Sequence, residues 1–213
     1  MKAIDLAIGG KSSFSLVRPP GHHAGPAYGM GFCSFNNAAI EAAYALQKMQ
    51  RVAIVDWDVH HGNEIQGNYN ESDRVLYCSI HRYPFYSGIG SIKESGTGKG
   101  EGYSVNIPFP AGSGMQLYSR AFNAIIIPAL KSFKPELIIV SSGHDALSDD
   151  PLWGMKLHPE DFGNSLRCSP TSHPFLLYVI LKEDMEGQMD WLPEKSLDKR
   201  RRIRITNRRC VFG

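Results

Sequence analysis

Two aspartates and a histidine occupy every second position of one short segment, and their types and spacing suit them for chemistry. The apolar run Val52 to Val55 precedes them, and Asp56, Asp58 and His60 follow. In an extended backbone, residues two apart point to the same side, so two carboxylates and an imidazole converge where the strand ends. Both groups bind divalent metals and exchange protons. The spacing predicts a metal or acid/base site; the alternative is a surface strand end with solvated charges.

A third carboxylate follows a second apolar segment. Residues 137–140 predict a buried strand, and the sequence SSGHD then brings in Asp145 just past its end. The carboxyl ends of parallel strands meet at the edge of the sheet where α/β proteins bind ligands, so Asp145 is expected beside Asp58 and His60. Two aspartates and one histidine with an open fourth position have the ligand count of a catalytic zinc site.

Two adjacent histidines, His22 and His23, lie in the segment RPPGHHAG at 18–25. Two prolines fix an extended backbone before them, and the glycines predict a loop. Imidazoles are the side chains best suited to proton transfer near neutral pH. A histidine pair on such a loop is by itself more typical of a surface, but the aspartate and histidine segment downstream favours a catalytic role.

The elements that must position these residues alternate between strands and helices, which predicts an α/β fold with a parallel sheet. Apolar runs predict strands at 13–17, 52–58, 75–80, 104–107 and 137–140, and periodicity predicts helices at 38–49, 64–69 and 113–133. Ser113 and Gln116 have the spacing of a capping box at the start of the last helix, and Pro128 predicts a kink within it.

The glycine-rich stretch 81–102 has no periodicity, which predicts a long functional loop. It carries three aromatic residues, Tyr83, Phe85 and Tyr86. They either line a pocket or anchor the loop, and the sequence leaves both alternatives open.

Composition indicates an ordinary globular protein. With 213 residues, 42% of them hydrophobic and 21% charged, the chain is long enough for one α/β domain. The net charge of +2 comes from the basic run KRRRIRITNRR at 199–209, and the rest of the chain is net acidic. We therefore expect no direct nucleic-acid binding by the body of the protein. The run itself is most simply a solvated tail, although a nuclear address or a nucleic-acid contact is an alternative.

The four cysteines show neither CxxC spacing nor a dense framework, which favours free thiols in a reducing compartment; they are Cys33, Cys78, Cys168 and Cys210. No apolar run reaches the roughly 18 residues that a membrane helix needs, and no signal peptide opens the sequence. We expect a soluble intracellular protein, in the nucleus, the cytoplasm or both.

Several motifs together resemble the zinc-dependent histone deacetylase family, which has an arginase-like α/β fold and hydrolyses acetyl-lysine. They are RPPGHHAG at 18–25, GFCSFNNAA at 31–39, VDWDVHHGN at 55–63, SIHR at 79–82 and SSGHDALSDDP at 141–151. The resemblance runs from about Phe14 to Gly163. These motif sequences resemble the class II and bacterial amidohydrolase branch more than class I, because Asn63 stands where class I enzymes carry an acid.

The resemblance implies roles for individual residues. Asp58, His60 and Asp145 would bind zinc, while His22 and His23 would activate the attacking water and protonate the leaving amine.

It also implies that Asp56 orients one of these histidines and faces a structural potassium ion, to which Ser79 adds an oxygen. Gly31, Phe32 and Phe85 would line the narrow channel for the lysine stem. A channel walled by aromatics accommodates a neutral acetylated lysine better than a charged lysine.

The sequence departs from the family in three places. Only seventeen residues precede Arg18, where the family has a longer region, so an exposed sheet edge is expected. Glu64 stands where glycine is usual, and His144 where an aromatic or small residue is usual. We interpret Glu64 as a solvated acid at a helix start and expect His144 to point away from the metal.

The third departure is the absence of a Gly-Gly-Tyr segment to supply the tyrosine that donates to the developing oxyanion. Loss of one such donor typically costs about 10²–10³ in rate. Tyr178, in FLLYVIL, is instead expected within an apolar strand or helix. We therefore predict a partial deacetylase catalytic domain at 1–163, truncated at both ends, and a divergent tail at 164–213 with a basic C-terminus.

These expectations give a primary hypothesis and an alternative. The first is a zinc-dependent hydrolase that removes acetyl groups from lysines of histones or other proteins, or from a small acetylated amine, with activity impaired by the truncation. The alternative is a zinc-binding pseudoenzyme or interaction module without turnover. No membrane partner is expected.

Overall fold

Six parallel strands form one sheet in the computed structural model, which describes residues 2–168 and 175–180. The order of the strands is β1-β6-β5-β2-β3-β4, and every neighbouring pair is parallel. The strands are β1 Ser13–Val17, β2 Val52–Asp56, β3 Val75–Arg82, β4 Ser104–Phe109, β5 Leu137–Gly143 and β6 Phe175–Ile180. The predicted parallel sheet is confirmed.

Helices connect most of the strands. They are α1 Lys2–Ile8, α2 Asn37–Ala45, α3 Asn63–Tyr69, α4 Met115–Ala121, α5 Ile127–Phe133 and α6 Pro159–Cys168, with a 3₁₀ turn at Gly98–Gly100 and a π-helical turn at Phe122–Ile126. None of the helices in the described ranges is long and apolar enough to span a membrane.

The core lies on both faces of the central strands, because successive side chains of a strand point to opposite faces. Ala53 and Val55 of β2 pack in a cluster with side chains of α4, α5 and α6. Val52 and Ile54 pack in a second cluster with side chains of α1, α2 and α3. All residues of β2 and β5 are buried, which explains why both were visible in the sequence as continuous apolar runs.

Element boundaries differ from the predicted ones where side chains compete for the backbone. β2 ends at Asp56 rather than at Asp58, since the backbone N–H of Asp58 donates to Asp56 Oδ1 at 3.1 Å instead of to a neighbouring strand. α2 ends at Ala45, four residues before the predicted end.

The predicted helix at 113–133 consists of α4, the π-helical turn and α5. Pro128 lies in the first turn of α5, where its missing N–H costs little. The predicted capping box is wrong. Gly114 is the N-cap residue, and the hydroxyl of Ser113 donates to the carbonyl of Pro110 at 2.7 Å.

β6 lies inside the sheet, between β1 and β5, although its sequence belongs to the predicted tail. Its register pairs Tyr178 with Ser15 of β1 and with Ser141 of β5. Residues 175–180 thus form a strand rather than a helix, and β1 forms one edge of the described sheet. Whether the catalytic domain ends at residue 163 stays a prediction. The basic run at 199–209 lies outside the described residues, as does Cys210.

Candidate active site

The site lies where β2 and β5 end side by side. Asp56 and Ser141 are register partners in these strands. The chain then continues from each strand into a segment that carries an acid, so Asp58 and Asp145 arrive at the same edge of the sheet. This is the carboxyl edge of the parallel strands, where ligands bind in such folds.

Asp58, His60 and Asp145 form a buried cluster with the geometry of a metal site. One ligand atom from each residue lies within 4.8 Å of the other two. Nδ1 of His60 is 3.0 Å from Asp58 Oδ1 and 3.0 Å from Asp145 Oδ2. Two carboxylates and an imidazole are a donor set that divalent transition metals accept, so the residues fit the predicted metal.

Local hydrogen bonds hold this cluster in place. The backbone N–H of His60 donates to Asp58 Oδ1 at 2.8 Å, and that of Val59 donates to Asp145 Oδ1 at 3.0 Å. Gly143 at the end of β5 leaves the necessary room, because a Cβ there would overlap the Asp58 carboxylate. The regular alternation predicted for an extended strand is therefore replaced by side-chain to backbone bonds, which still bring the ligands together.

The carboxylates and the imidazole of this cluster favour one another's charged forms. Burial lowers the pKa of His60, but the carboxylates of Asp145 and Asp58 outweigh burial and raise it to about 9. For Asp58, burial acts in the opposite direction and raises the pKa. The neighbouring His22 and His60 outweigh burial and bring the pKa of Asp58 well below its ordinary value. A cation is thus favoured among these carboxylates.

The adjacent histidines lie beside the cluster, with their rings 4.0 Å apart. Nδ1–H of His22 donates to Asp56 Oδ2 at 3.0 Å, and Nε2 of His22 is 3.9 Å from Asp58 Oδ1. Nδ1–H of His23 donates to Asn63 Oδ1 at 2.6 Å. Both rings are buried, so the surface-loop alternative does not hold for them.

The two histidines differ in protonation. Burial lowers the pKa of His22, but Asp58 and Asp56 outweigh it and raise the pKa overall. For His23, burial and the charge of His22 lower the pKa to about 3, against the hydrogen bond to Asn63. The pKa values of the two histidines are therefore shifted in opposite directions, and His23 is a neutral imidazole near neutral pH. Because Nδ1 of His23 carries its proton, Nε2 keeps a free lone pair.

Asp56 and Ser79 are register partners in β2 and β3, and both are fully buried. Burial raises the pKa of Asp56 despite the opposing effect of His22. The hydroxyl of Ser79 lies 2.9 Å from His81 Nδ1. The potassium ion assigned to these two residues stays a prediction.

Aromatic side chains surround the candidate metal ligand His60. Phe85 stacks on its ring with centroids 5.4 Å apart, and Trp153 approaches it edge-on at 4.6 Å. Tyr86 lies edge-on to His23 at 5.0 Å. Phe85 and Tyr86 thus belong to the site rather than merely anchoring their loop.

Of the other two predicted channel residues, Gly31 lies against the His23 ring and Phe32 is exposed. Gly31 has a φ of 54°, and a Cβ there would meet the His23 ring at 2.5 Å, so only glycine fits. Phe32 also has a positive φ, 61°, and its side chain is 94% exposed. Phe32 therefore lies at the rim and not in a closed wall.

Sequence reasoning missed the roles of Trp153, His81 and Asn63. Asn63 was noted only as a family difference, although it holds His23. Trp153 follows the aspartates at 149 and 150 in a segment without periodicity, so no local signal pointed to it. His81 could have been suspected, because it stands two residues after Ser79 on the same strand and therefore on the same face.

Glu64 and His144, the two residues that depart from the family pattern within the motifs, both make contacts with other side chains. Glu64 lies in the first turn of α3 as expected, but its carboxylate accepts hydrogen bonds from Tyr28 and Asn63, so it is not simply solvated. His144 is buried and packs against Phe162 with ring centroids 4.9 Å apart, outside the ligand cluster.

Comparisons with known proteins agree with this architecture. A family model, the histone deacetylase domain, matches residues 1–171. The chain is 47% identical over 205 residues to histone deacetylase 15 of Arabidopsis thaliana, covering 84% of this chain and 37% of the relative. It is 45% identical over 168 residues to a histone deacetylase-like amidohydrolase of Pseudomonas aeruginosa, covering 75% of this chain and 43% of the relative.

A probable deacetylase of Archaeoglobus fulgidus is 44% identical over 158 residues, covering 74% of this chain and 44% of that protein. The crystal structure of the HDA15 HD domain matches with a TM-score of 0.81 and 39% identity, covering 84% of this chain and 55% of that one. The fold and site define an α/β protein with a candidate metal-ligand cluster and paired histidines. The chain belongs to the histone deacetylase family, and it spans less than half the length of these three relatives.

Proposed function

We propose that this chain is a zinc-dependent hydrolase that removes acetyl groups from lysine side chains of proteins, histones among them. One observation carries the proposal: an Asp58, His60 and Asp145 cluster lies against the His22 and His23 pair in a buried site. A metal-ligand set and a proton-transfer pair at one edge of a parallel sheet are what metal-assisted amide hydrolysis requires.

Zinc fits the donor set, because it accepts carboxylate oxygens and imidazole nitrogen and leaves a fourth position open in catalytic sites. When bound, zinc supplies Lewis-acid chemistry by polarising the acetyl carbonyl and lowering the pKa of a nearby water. Asp58, His60 and Asp145 would hold it. The structural potassium ion implied for Asp56 and Ser79 belongs to the same proposal.

The two histidines would divide the proton chemistry. Neutral His23, with its free Nε2 lone pair, is suited to take a proton from the attacking water and return it to the leaving lysine amine. His22, whose charged form is favoured by Asp58 and Asp56, is suited to stabilise negative charge that develops on the acyl oxygen. Such acid and base assistance typically contributes about 10²–10⁴ in rate.

The aromatic side chains are suited to pack against the aliphatic stem of a lysine substrate. Phe85, Tyr86 and Trp153 surround His60 and His23, and aliphatic carbons pack well on such rings. The same walls would accept a small acetylated amine, which we keep as a second substrate class. We further propose that the chain acts in the nucleus, the cytoplasm or both.

The test is hydrolysis of an acetyl-lysine peptide by the purified 213-residue chain, with zinc content measured on the same samples. We expect about one zinc per chain and acetate release, both lost in Asp145→Ala. Glu71→Ala, which removes an exposed acid elsewhere, is the matched control and should change neither. Acetate release that persists in Asp145→Ala would contradict the assignment of the metal ligands.

The second candidate function is zinc binding without turnover. It is favoured by the lack of a Gly-Gly-Tyr segment and by the position of Tyr178 inside β6 rather than in a loop beside the site. A hydroxamate separates the two candidates. Hydroxamate binding that depends on zinc and Asp145, without any acetate release, would show a non-catalytic metal-binding protein.

A further inference from the structure

Glu64 links the candidate base His23 to the protein surface through hydrogen bonds. Its Oε1 accepts from the hydroxyl of Tyr28 at 2.7 Å and from Nδ2 of Asn63 at 3.0 Å. The other end of the Asn63 amide, Oδ1, accepts from Nδ1–H of His23 at 2.6 Å. The three side chains beyond His23 therefore form a continuous chain of hydrogen bonds.

The direction of these bonds follows from chemistry. An ionised carboxylate only accepts, so the nitrogen of the Asn63 amide must face Glu64 and its oxygen must face His23. The other nearby acceptor for that nitrogen is the sulfur of Met30 at 3.8 Å, and thioether sulfur is a weak acceptor. Glu64 is thus the strong partner that fixes how the amide is turned.

The orientation of the amide decides which nitrogen of His23 carries the proton. With its oxygen toward the ring, the amide stabilises the tautomer protonated at Nδ1, which leaves Nε2 able to accept a proton. If the amide turned over, its NH₂ group would face Nδ1 and favour the tautomer protonated at Nε2, which cannot act as a base. Asn63 is 5% exposed, so water cannot readily replace its partners.

We propose that Glu64 is a positioning residue for the proposed hydrolysis: its carboxylate orients the Asn63 amide and thereby keeps His23 in the tautomer that can serve as the base. The inference rests on the proposed function for its catalytic consequence. The tautomer itself is a property of the folded chain and can be measured without zinc or substrate.

Backbone contacts of Glu64 do not depend on its side chain. Its N–H donates to the carbonyl of His22 at 3.2 Å, which joins the start of α3 to the loop of the paired histidines. Tyr28 packs on that same loop, since a Cβ on Gly25 would run into its ring. Variants at position 64 therefore keep the main-chain anchor, and the effect of the carboxylate can be isolated.

The deciding experiment is ¹⁵N NMR of histidine-labelled, zinc-free protein, with the His23 signals assigned by their loss in His23→Gln. In the wild-type chain we expect a His23 ring protonated at Nδ1. In Glu64→Ala we expect a substantial share of the tautomer protonated at Nε2. Glu64→Gln, whose amide oxygen can still accept from Asn63, should restore most of the wild-type pattern.

Glu160→Ala is the matched control, because Glu160 is an exposed acid in the first turn of α6 and its loss has the same effect on a helix terminus. It should leave the His23 signals unchanged. An unchanged His23 tautomer in Glu64→Ala overturns the proposal, and so does a change of equal size in the Glu160→Ala control. If Glu64→Ala does not fold, Glu64→Asp is measured in its place and is judged by the same signals.

Kinetics then separate this inference from the proposed function. With acetyl-lysine peptide, Glu64→Ala should lower kcat about 10- to 100-fold with KM nearly unchanged, as for other residues that orient a catalytic group. A raised KM with kcat unchanged would contradict the positioning role. If Glu64→Ala shifts the His23 tautomer as expected but the wild-type chain releases no acetate, the orientation of His23 by Glu64 is supported and the proposed hydrolysis is contradicted.

Discussion

His22 and His23 are neighbours in sequence and have nearly the same burial, but their partners give them opposite properties. His22 faces the carboxylate of Asp56, and His23 faces the amide of Asn63. A carboxylate stabilises an imidazolium, whereas an amide oxygen accepts a proton without adding a full charge. Asp58 and Asp56 outweigh burial and raise the pKa of His22, whereas burial and the charge of His22 lower the pKa of His23 to about 3, against the hydrogen bond to Asn63.

Asn63→Asp should move the acid limb of the activity profile to higher pH. The new carboxylate would favour the charged form of His23 and raise its pKa from about 3. The neutral base is present only above that pKa, so activity would be lost at a higher pH as the solution is acidified. The measurement is kcat/KM against pH for both proteins, and an acid limb at the same pH in both would contradict the proposed role of His23.

Strand and loop ends place the candidate catalytic groups, and each end is held by its own contacts. The loop after β3 carries Phe85 and Tyr86, and it is tied down at Gly90, whose carbonyl accepts from His81 Nε2–H at 2.9 Å. The carboxylate of Glu94 accepts from the backbone N–H groups of Gly90 and Ser91. A glycine-rich segment is thus ordered by a few buried polar contacts rather than by periodic packing.

Gly143→Ala, at the end of β5, should weaken metal binding. A methyl group at this strand end would overlap the Asp58 carboxylate and push it out of the ligand cluster. We expect zinc affinity, measured by competition with a chelator, to fall at least about 10-fold, a size typical when a ligand loses its orientation.

Gly163→Ala is the control for this substitution, because nothing lies within 4 Å of the added methyl group in α6. It should bind zinc as the wild-type chain does and gain slightly in stability from better helix propensity. Equal zinc affinity in Gly143→Ala and in the wild-type chain would mean that the crowding at Asp58 is relieved by small backbone shifts.

The sheet as described depends on β6, since β1 pairs with no other described strand. β1 leads directly into the loop of the paired histidines, so β6 couples the two sides of the site. The ligand cluster stands on β2 and β5, and the histidine pair follows β1. The relative position of the two therefore depends on a strand of six residues.

Leu177→Pro should uncouple β1 from the sheet. Proline has no N–H for the ladder, so it removes a hydrogen bond of the sheet and is tolerated essentially only on edge strands or at bulges. In hydrogen exchange followed by mass spectrometry, we expect β1 amides to lose protection while β2 and β3 amides largely retain theirs. Leu177→Val is the control and should resemble the wild-type chain; protection of β1 that survives in Leu177→Pro would contradict the observed register.

Local pattern was sufficient to find most of the strands and to group the candidate metal ligands. β1 was predicted with its observed bounds, and the parallel sheet and the grouping of Asp58 with His60 followed from apolar runs and spacing. The family followed from the resemblance of several motifs. Buried parallel strands need uninterrupted apolar residues, and groups two residues apart stay close whatever surrounds them. Such features depend on residues that are close in sequence, so they can be predicted from the sequence.

Contacts between distant residues were decided only by the folded chain. Trp153 lies on His60 across 93 positions, and Glu64 and Tyr28 meet across 36. Which side chains meet in this way depends on strand order and on the packing of loops, and no local periodicity encodes either. The same holds for β6: its apolar sequence specifies a strand, but only the gap between β1 and β5 specifies where that strand lies.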